Sequence, residues 1–389
     1  MKKQIANNLS VFKAHYFFLY FNPESVVFLL FLHKLLGSFA LVGAVAMLYP
    51  IFTGVFNIPA GVMSDYIGRR GAMILSGVLG VLTKTCYMAA IFSSPIQFLV
   101  LGAILNGFGE SMSNNTSQSL FYETLKAGGC EKQFYNLFGK TNSFKSTGMA
   151  IAALLGGAIL HFGSFTYVII LSLASSTVLL LVNMRMRDAV KYKKERNKLS
   201  HLKKALKNLI SNPKLLLFSG ADAINAGGVI SAKHYMPVYL ASIIPYWALG
   251  VWRFSGMIFS AVGSWYTGAL SERMGKVRAF MISMVIGPAL QLVALIMNNI
   301  LTPIVFLTNN FFGGIKYAIS TGIRQDEYDK RQRATMTSLL AMMRSIAEGL
   351  GIFAIGALAE AAGIYTALFA AVGLRIIAIP MYSRALGRN

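Results

Sequence analysis

The sequence predicts an all-α integral membrane protein with twelve transmembrane helices in two pseudo-symmetric six-helix halves. Three observations carry this expectation. First, 55% of the 389 residues are hydrophobic and only 13% are charged, with a mean hydropathy of +0.58. Soluble domains run nearer a quarter charged, so this chain lacks the charge to cover a soluble surface of its size. Second, apolar runs of about 20 residues, the length that crosses a bilayer, recur along the whole chain. Third, a short polar motif occurs once in each half. Gly61, Ser64, Asp65, Gly68 and Arg69 match Gly268, Ser271, Glu272, Gly275 and Lys276 in order and spacing.

The twelve apolar windows centre near Asn22, Phe52, Leu82, Gly107, Ala150, Ser175, Ile224, Phe259, Gly287, Phe312, Ser345 and Leu374. The start, Met1-Lys2-Lys3, is basic, but no small-residue cleavage site follows the first run. It reads as an uncleaved first helix rather than a signal peptide. Pro23 should disturb that helix, since it lacks the backbone donor a continuous helix needs. The stretch from Arg185 to Lys207 holds ten basic residues against Asp188 and Glu195. It is the natural linker, giving halves at 1–184 and 213–389 joined by residues 185–212. Leu199, Leu202, Leu206, Leu209 and Ile210 recur there at helical spacing. Part of it is therefore expected to lie as an amphipathic helix on anionic lipid, or to be a plain solvated connector. Pro213 marks the start of the seventh window.

A formal charge of +22 raises the question of nucleic acid. Position argues against it. Arg69, Arg70, Lys126, Lys132, Lys140, the linker run, Arg273, Lys276, Arg278, Arg324, Lys330, Arg331 and Arg333 fall in alternate connections, which is the positive-inside bias. Both termini are then cytoplasmic. Tyr246 and Trp247 fall at the outer end of the eighth window, as interfacial aromatics do. Cys86 lies in an apolar run and Cys130 in a polar connection, so no disulfide is expected. No phosphate-binding Gly-rich loop and no metal-spaced histidines occur, so no enzyme, cofactor or metal site is read.

Twelve windows in two halves, with Gly61-x-x-x-Asp65-x-x-Gly68-Arg69-Arg70 between the second and third, resemble the major facilitator superfamily of transporters. Pro59, the stretch Leu120-Phe121-Tyr122-Glu123-Thr124-Leu125, and Arg333-Ala334-Thr335-Met336-Thr337-Ser338-Leu339 are similar to its bacterial drug and metabolite exporter branch. The resemblance implies that Gly61, Asp65, Gly68, Arg69 and Arg70 form a gating loop. In it, Asp65 locks the two halves outward-facing and releases when they rock. The antiporter signature of the fifth span is only partly present: Gly148, Gly156 and Gly157 are there, but the proline is absent.

Charge inside a span costs at least about 2.5 kcal/mol on insertion scales, so each such residue needs a reason. Glu24, Glu110 and Asp222 lie in mid-span, with Asn114 one turn after Glu110. A carboxylate that exchanges a proton is what a proton-coupled carrier needs. The alternative for each is a partnered acid that pins two helices. Glu348 has Arg344 at i−4 as a ready partner. Lys84 and Lys316 are too deep to reach an interface easily, and they could meet an anionic solute or pack against an acid. Lys145, Arg253 and Arg375 also lie in or near spans.

The expected function is secondary active transport by alternating access, as proton-coupled export of a small amphipathic drug or metabolite. The alternative is a carrier for an anionic solute such as a siderophore-like carboxylate or organic phosphate. A non-transporting receptor on the same scaffold is the reading outside transport. The expected partners are a small-molecule substrate, a coupling proton and membrane lipid, with no nucleic acid. The chain is expected as a monomer in the bacterial cytoplasmic (inner) membrane.

Overall fold

The computed structural model describes residues 2–93, 96–130, 134–188, 206–207, 209–327 and 333–387. They form helices α1 (Lys2–Tyr20), α2 (Phe28–Leu36), α3 (Phe39–Ala46), α4 (Leu48–Ile67), α5 (Arg69–Ser93), α6 (Ile96–Ala127) and α7 (Phe134–Phe162). These are followed by α8 (Phe165–Met184), α9 (Pro213–Leu240), α10 (Tyr246–Met274), α11 (Lys276–Met297), α12 (Thr302–Glu327) and α13 (Arg333–Leu386). There is no strand among the described residues. The first apolar window straddles the break between α1 and α2, the other eleven centre on helix, and α13 carries the last two as limbs on either side of Gly363, whose φ is +84°. By length and composition seven helices among the described residues can cross a membrane, or eight if α1 and α2 form one bent span. The chain is a multi-pass membrane protein. Most of the basic linker lies in 189–205, outside the described residues, as do Lys132, Lys330 and Arg331.

Pro23 acts as expected. Helix α1 stops at Tyr20, and Pro23–Val26 forms a single 3-10 turn before α2 resumes at an angle of 46°. Glu24 sits on that turn. The break has a close neighbour: a Cβ on Gly156 of α7 would stand 2.2 Å from the Pro23 carbonyl oxygen. One on Gly148, two turns earlier, would stand 2.4 Å from the Phe17 carbonyl. In lipid, helices associate through close packing of small residues rather than through the hydrophobic effect. The fifth-span glycines thus let α7 lie directly on the broken first span. Gly156→Ala is expected to cost about 1–3 kcal/mol by overpacking, read as a lowered unfolding temperature in detergent. Gly139→Ala, with open space around its Cβ, should leave that temperature unchanged.

The chain divides into two compact units, the first comprising Met1–Leu35 and Leu48–Arg196, the second Leu36–Met47 and Asn197–Asn389. In the first, α6 packs on α4 and α5, α8 on α5, and α7 on α1. Phe12, Tyr16, Met73, Leu120, Phe121, Leu125 and Met186 form its buried apolar cluster. In the second, α13 packs on α9 and on the short α3, and α12 on α10 and α11. Phe218, Phe280, Met284, Ile315 and Tyr382 belong to its cluster.

The repeated motif has the same backbone in both copies. A single residue, Gly68, joins α4 to α5, and a single residue, Gly275, joins α10 to α11. Both have φ of +84°, a region where any Cβ is strained. Tyr246 and Trp247 are exposed on the first turn of α10.

Candidate functional site

Glu24 is buried, and both of its oxygens are engaged. Lys84 of α5 donates to Oε1, and Ser172 of α8 donates to Oε2. The side chains of Glu24 and Lys84 are each only 6% exposed. Burying a lone charge costs several kcal/mol, so each group of this pair holds the other in place. Lys84 also lies over the Tyr87 ring, 5.6 Å from its centroid.

Beside this pair the first unit has a partly open cavity of about 170 Å³. Its walls carry Tyr49, Lys84, Asn106, Glu110 and Asn114, with Asn22 at the break in the first span. Glu110 is half-buried. It accepts a hydrogen bond from the Tyr49 hydroxyl at Oε2, and one from Asn114 Nδ2 at Oε1 at 3.3 Å. No cation among the described residues lies within ion-pair distance of Glu110. Lys145 is near enough for Glu110 to act on its charge, and it sits 4.1 Å from the Tyr20 ring centroid.

Asp222 occupies the second unit, on α9. It accepts from Arg324 Nη1 at 2.9 Å and from the Tyr382 hydroxyl at 3.0 Å, and Arg344 Nη1 lies 3.9 Å away. Arg344 also pairs with Glu348 at 2.9 Å, the i, i+4 partnership expected from spacing. Lys316, on α12, has no hydrogen bond or ion pair among the described residues. The charges of Arg375, Asp222 and Arg344 all act on it.

The residues of the first copy of the repeated motif form a third cluster. Arg69 lies 3.4 Å from Asp65 and 3.9 Å from Glu123, and donates to Ser64 Oγ at 2.9 Å. The Arg70 amide at the start of α5 donates to Asp188 Oδ1 at 2.9 Å, and its guanidinium to the Met184 carbonyl at 3.1 Å. Asp188 thus caps α5 from a distance, its negative charge set against the positive end of the helix dipole. Gly61 lies on α4, one turn before Asp65, and its carbonyl accepts from Ser64 Oγ at 3.4 Å.

Sequence reasoning missed Tyr49, Ser172, Asp188 and Tyr382 as partners. None of them carries a local signal, because a hydroxyl in an apolar helix or an acid in a basic run has no marked spacing. Arg324, read only as a topological charge, is the principal partner of Asp222. Cys86 and Cys130 are both free thiols.

Residues 15–352 match the sequence profile of the Major Facilitator Superfamily, and the chain belongs to that family. Solved structures show the same fold. The nucleoside transporter NupG, in a point-mutant form, aligns with a TM-score of 0.83 at 15% identity, covering 97% of this chain and 99% of that one. A bacterial homolog of the human lysosomal transporter Spinster, inward-facing and unoccupied, aligns at 0.73 and 14% identity, covering 99% and 96%. The E. coli fucose:proton symporter FucP aligns at 0.63 and 14% identity, covering 97% and 98%. No curated protein sequence matches.

Proposed function

We propose that this chain is a proton-coupled secondary transporter that moves a small polar metabolite by alternating access, with Glu110 as the carboxylate that exchanges the proton. The observation that carries this reading is Glu110 itself: an acid on a cavity wall, held by Tyr49 and Asn114 and ion-paired with no cation among the described residues. A hydroxyl donates to a carboxylate and accepts from a carboxylic acid. Tyr49 can therefore keep its bond to Glu110 in either protonation state. Glu24 and Asp222 lack this freedom, because a proton on either would strand Lys84 or Arg324.

The size and lining of the cavity favour a metabolite over a bulky drug. Pockets for drug-sized ligands run to about 300–1,000 Å³ with mainly apolar walls, whereas this one is near 170 Å³ and carries three asparagines. Export is the direction supported by the likeness of residues 120–125 and 333–339 to exporters. The same reading places a monomer in the bacterial inner membrane with both termini cytoplasmic. Its halves, 1–184 and 213–389, are joined by the linker 185–212 and gated by the loop of Gly61, Asp65, Gly68, Arg69 and Arg70.

The test uses proteoliposomes and a panel of labelled nucleosides, hexoses, amino acids and small carboxylates, with and without an imposed pH gradient. The wild type should accumulate at least one solute against its gradient when the pH gradient is present. Glu110→Gln should keep solute exchange at zero gradient and lose pH-driven accumulation by tenfold or more. Equal pH-driven accumulation by wild type and Glu110→Gln would remove Glu110 from the coupling role.

A further inference from the structure

The second unit contains a cation that its fold has gone to some length to bury. Arg375 of α13 is 5% exposed. Its Nη1 donates to Gln291 Oε1 of α11 and its Nη2 to Asn309 Oδ1 of α12 at 3.2 Å, while its Nε has no partner. No acid among the described residues pairs with it. The space for the guanidinium comes from Gly287, where a Cβ would stand 3.0 Å from Arg375 Nη2. A charged group at this depth held only by neutral amides is costly, and such residues mark functional sites by default.

The amides pass that polarity onward. Because Arg375 can only donate, it fixes the Asn309 amide with its oxygen turned inward. The Asn309 Nδ2 is left as a donor without a partner among the described residues. Lys316 follows Asn309 by two helical turns on α12, so both stand on one face of that helix. Lys316 adds three more donors and a full charge, within the field of Arg375. The remaining in-span acids of this unit are taken, Asp222 by Arg324 and Tyr382, and Glu348 by Arg344. The face therefore offers donors and positive charge, and the in-span acids near it are already paired.

We infer that Lys316 and Asn309, backed by Arg375, form an oxyanion site that engages a carboxylate or phosphate group of the transported solute. The inference rests on the transport reading but not on Glu110. A donor-only surface complements an acceptor-only group, and hydrogen bonds between a cation and an oxyanion are roughly twice as strong as neutral ones. Lys84, the other deep lysine, does not join this chemistry, because Glu24 neutralises it.

The test is thermal unfolding of the purified full-length protein in detergent, titrated with inorganic phosphate or acetate against sodium chloride of equal ionic strength. A neutral hexose serves as a further control. In the wild type, phosphate or acetate near ten times its dissociation constant should raise the unfolding temperature by about 2 °C above the chloride control. A response to phosphate alone assigns an organic phosphate, and a response to acetate alone a carboxylate. Lys316→Gln should abolish the shift and Lys316→Arg should keep it. Asn309→Asp is the second variant: it gives Arg375 an acid partner, so the protein should stay folded, yet it replaces the donor with a negative charge and should also abolish the shift. Equal shifts in wild type and Lys316→Gln, or no shift beyond chloride in the wild type, would overturn the inference. If Glu110→Gln retains pH-driven accumulation while Lys316→Gln loses the anion response, the coupling assignment fails and the oxyanion site stands.

Discussion

Glu24→Gln is expected to destabilise the protein by about 3–5 kcal/mol, among the largest effects of any single substitution in this chain. The cause is the group left behind. The Lys84 side chain is only 6% exposed, and it would lose its carboxylate partner. Removing one member of a buried pair leaves an uncompensated charge, whereas replacing both with uncharged groups of similar volume leaves none. Lys84→Met alone should be similarly damaging, because Glu24 would then be stranded beside Ser172. The double variant Glu24→Gln/Lys84→Met should recover most of the loss. Unfolding temperature in detergent for the four proteins checks this as a double-mutant cycle. A double variant no better than either single would show that the pair is not the source of the loss. The cycle also separates structure from transport: an intact Glu24→Gln protein that has lost only its pH-driven accumulation would return the coupling role to Glu24.

Asp222→Asn is expected to cost about 2–3 kcal/mol, the range for losing a hydrogen bond to a charged group in a partly buried place. Arg324 donates to one oxygen and Tyr382 to the other. An asparagine offers only one acceptor, so one of these donors would face an amide N–H. The tyrosine can turn its hydroxyl to accept, whereas the guanidinium has no such choice. The amide is thus expected to turn its oxygen to Arg324 and its nitrogen to Tyr382. Tyr382→Phe alone should cost only about 1 kcal/mol. Asp222→Asn combined with Arg324→Gln should be milder than the sum of the two single changes by about 1–3 kcal/mol. Strict additivity in unfolding temperature would show that the observed 2.9 Å contact carries no coupling.

How much of this was legible in the sequence depended on the distance over which each feature is decided. The helices were legible because the bilayer fixes their length. Their polar interruptions were legible too: Pro23 ends α1, and Arg344 meets Glu348 four residues on. The duplicated motif reached as far as backbone conformation, since Gly68 and Gly275 share one φ value. The partners of in-span charges were not legible. Glu24 meets Lys84 across 60 residues and Ser172 across 148, and nothing at either position names the other. The sequence marked Lys84 and Lys316 alike as deep lysines. Only helix packing separates them, giving one an acid partner and the other none among the described residues. It also marked Glu24, Glu110 and Asp222 alike as acids in spans, and the difference lies in the cation that stands beside two of them.

The second unit is not continuous in the chain. Its short helix α3, at 39–46, lies against residues translated about 190 to 320 positions later. A Cβ on Gly43 would stand 3.1 Å from the Tyr235 hydroxyl and 3.2 Å from Gly356, and the Phe39 amide donates to Glu360. This has a consequence for biogenesis. When the ribosome has made the first six spans, the Gly43 face still awaits neighbours that do not yet exist. The second unit in turn cannot be completed by its own stretch of chain alone. Insertion is sequential but completion is not, so the last helix must reach the membrane before one of the first acquires its final surroundings.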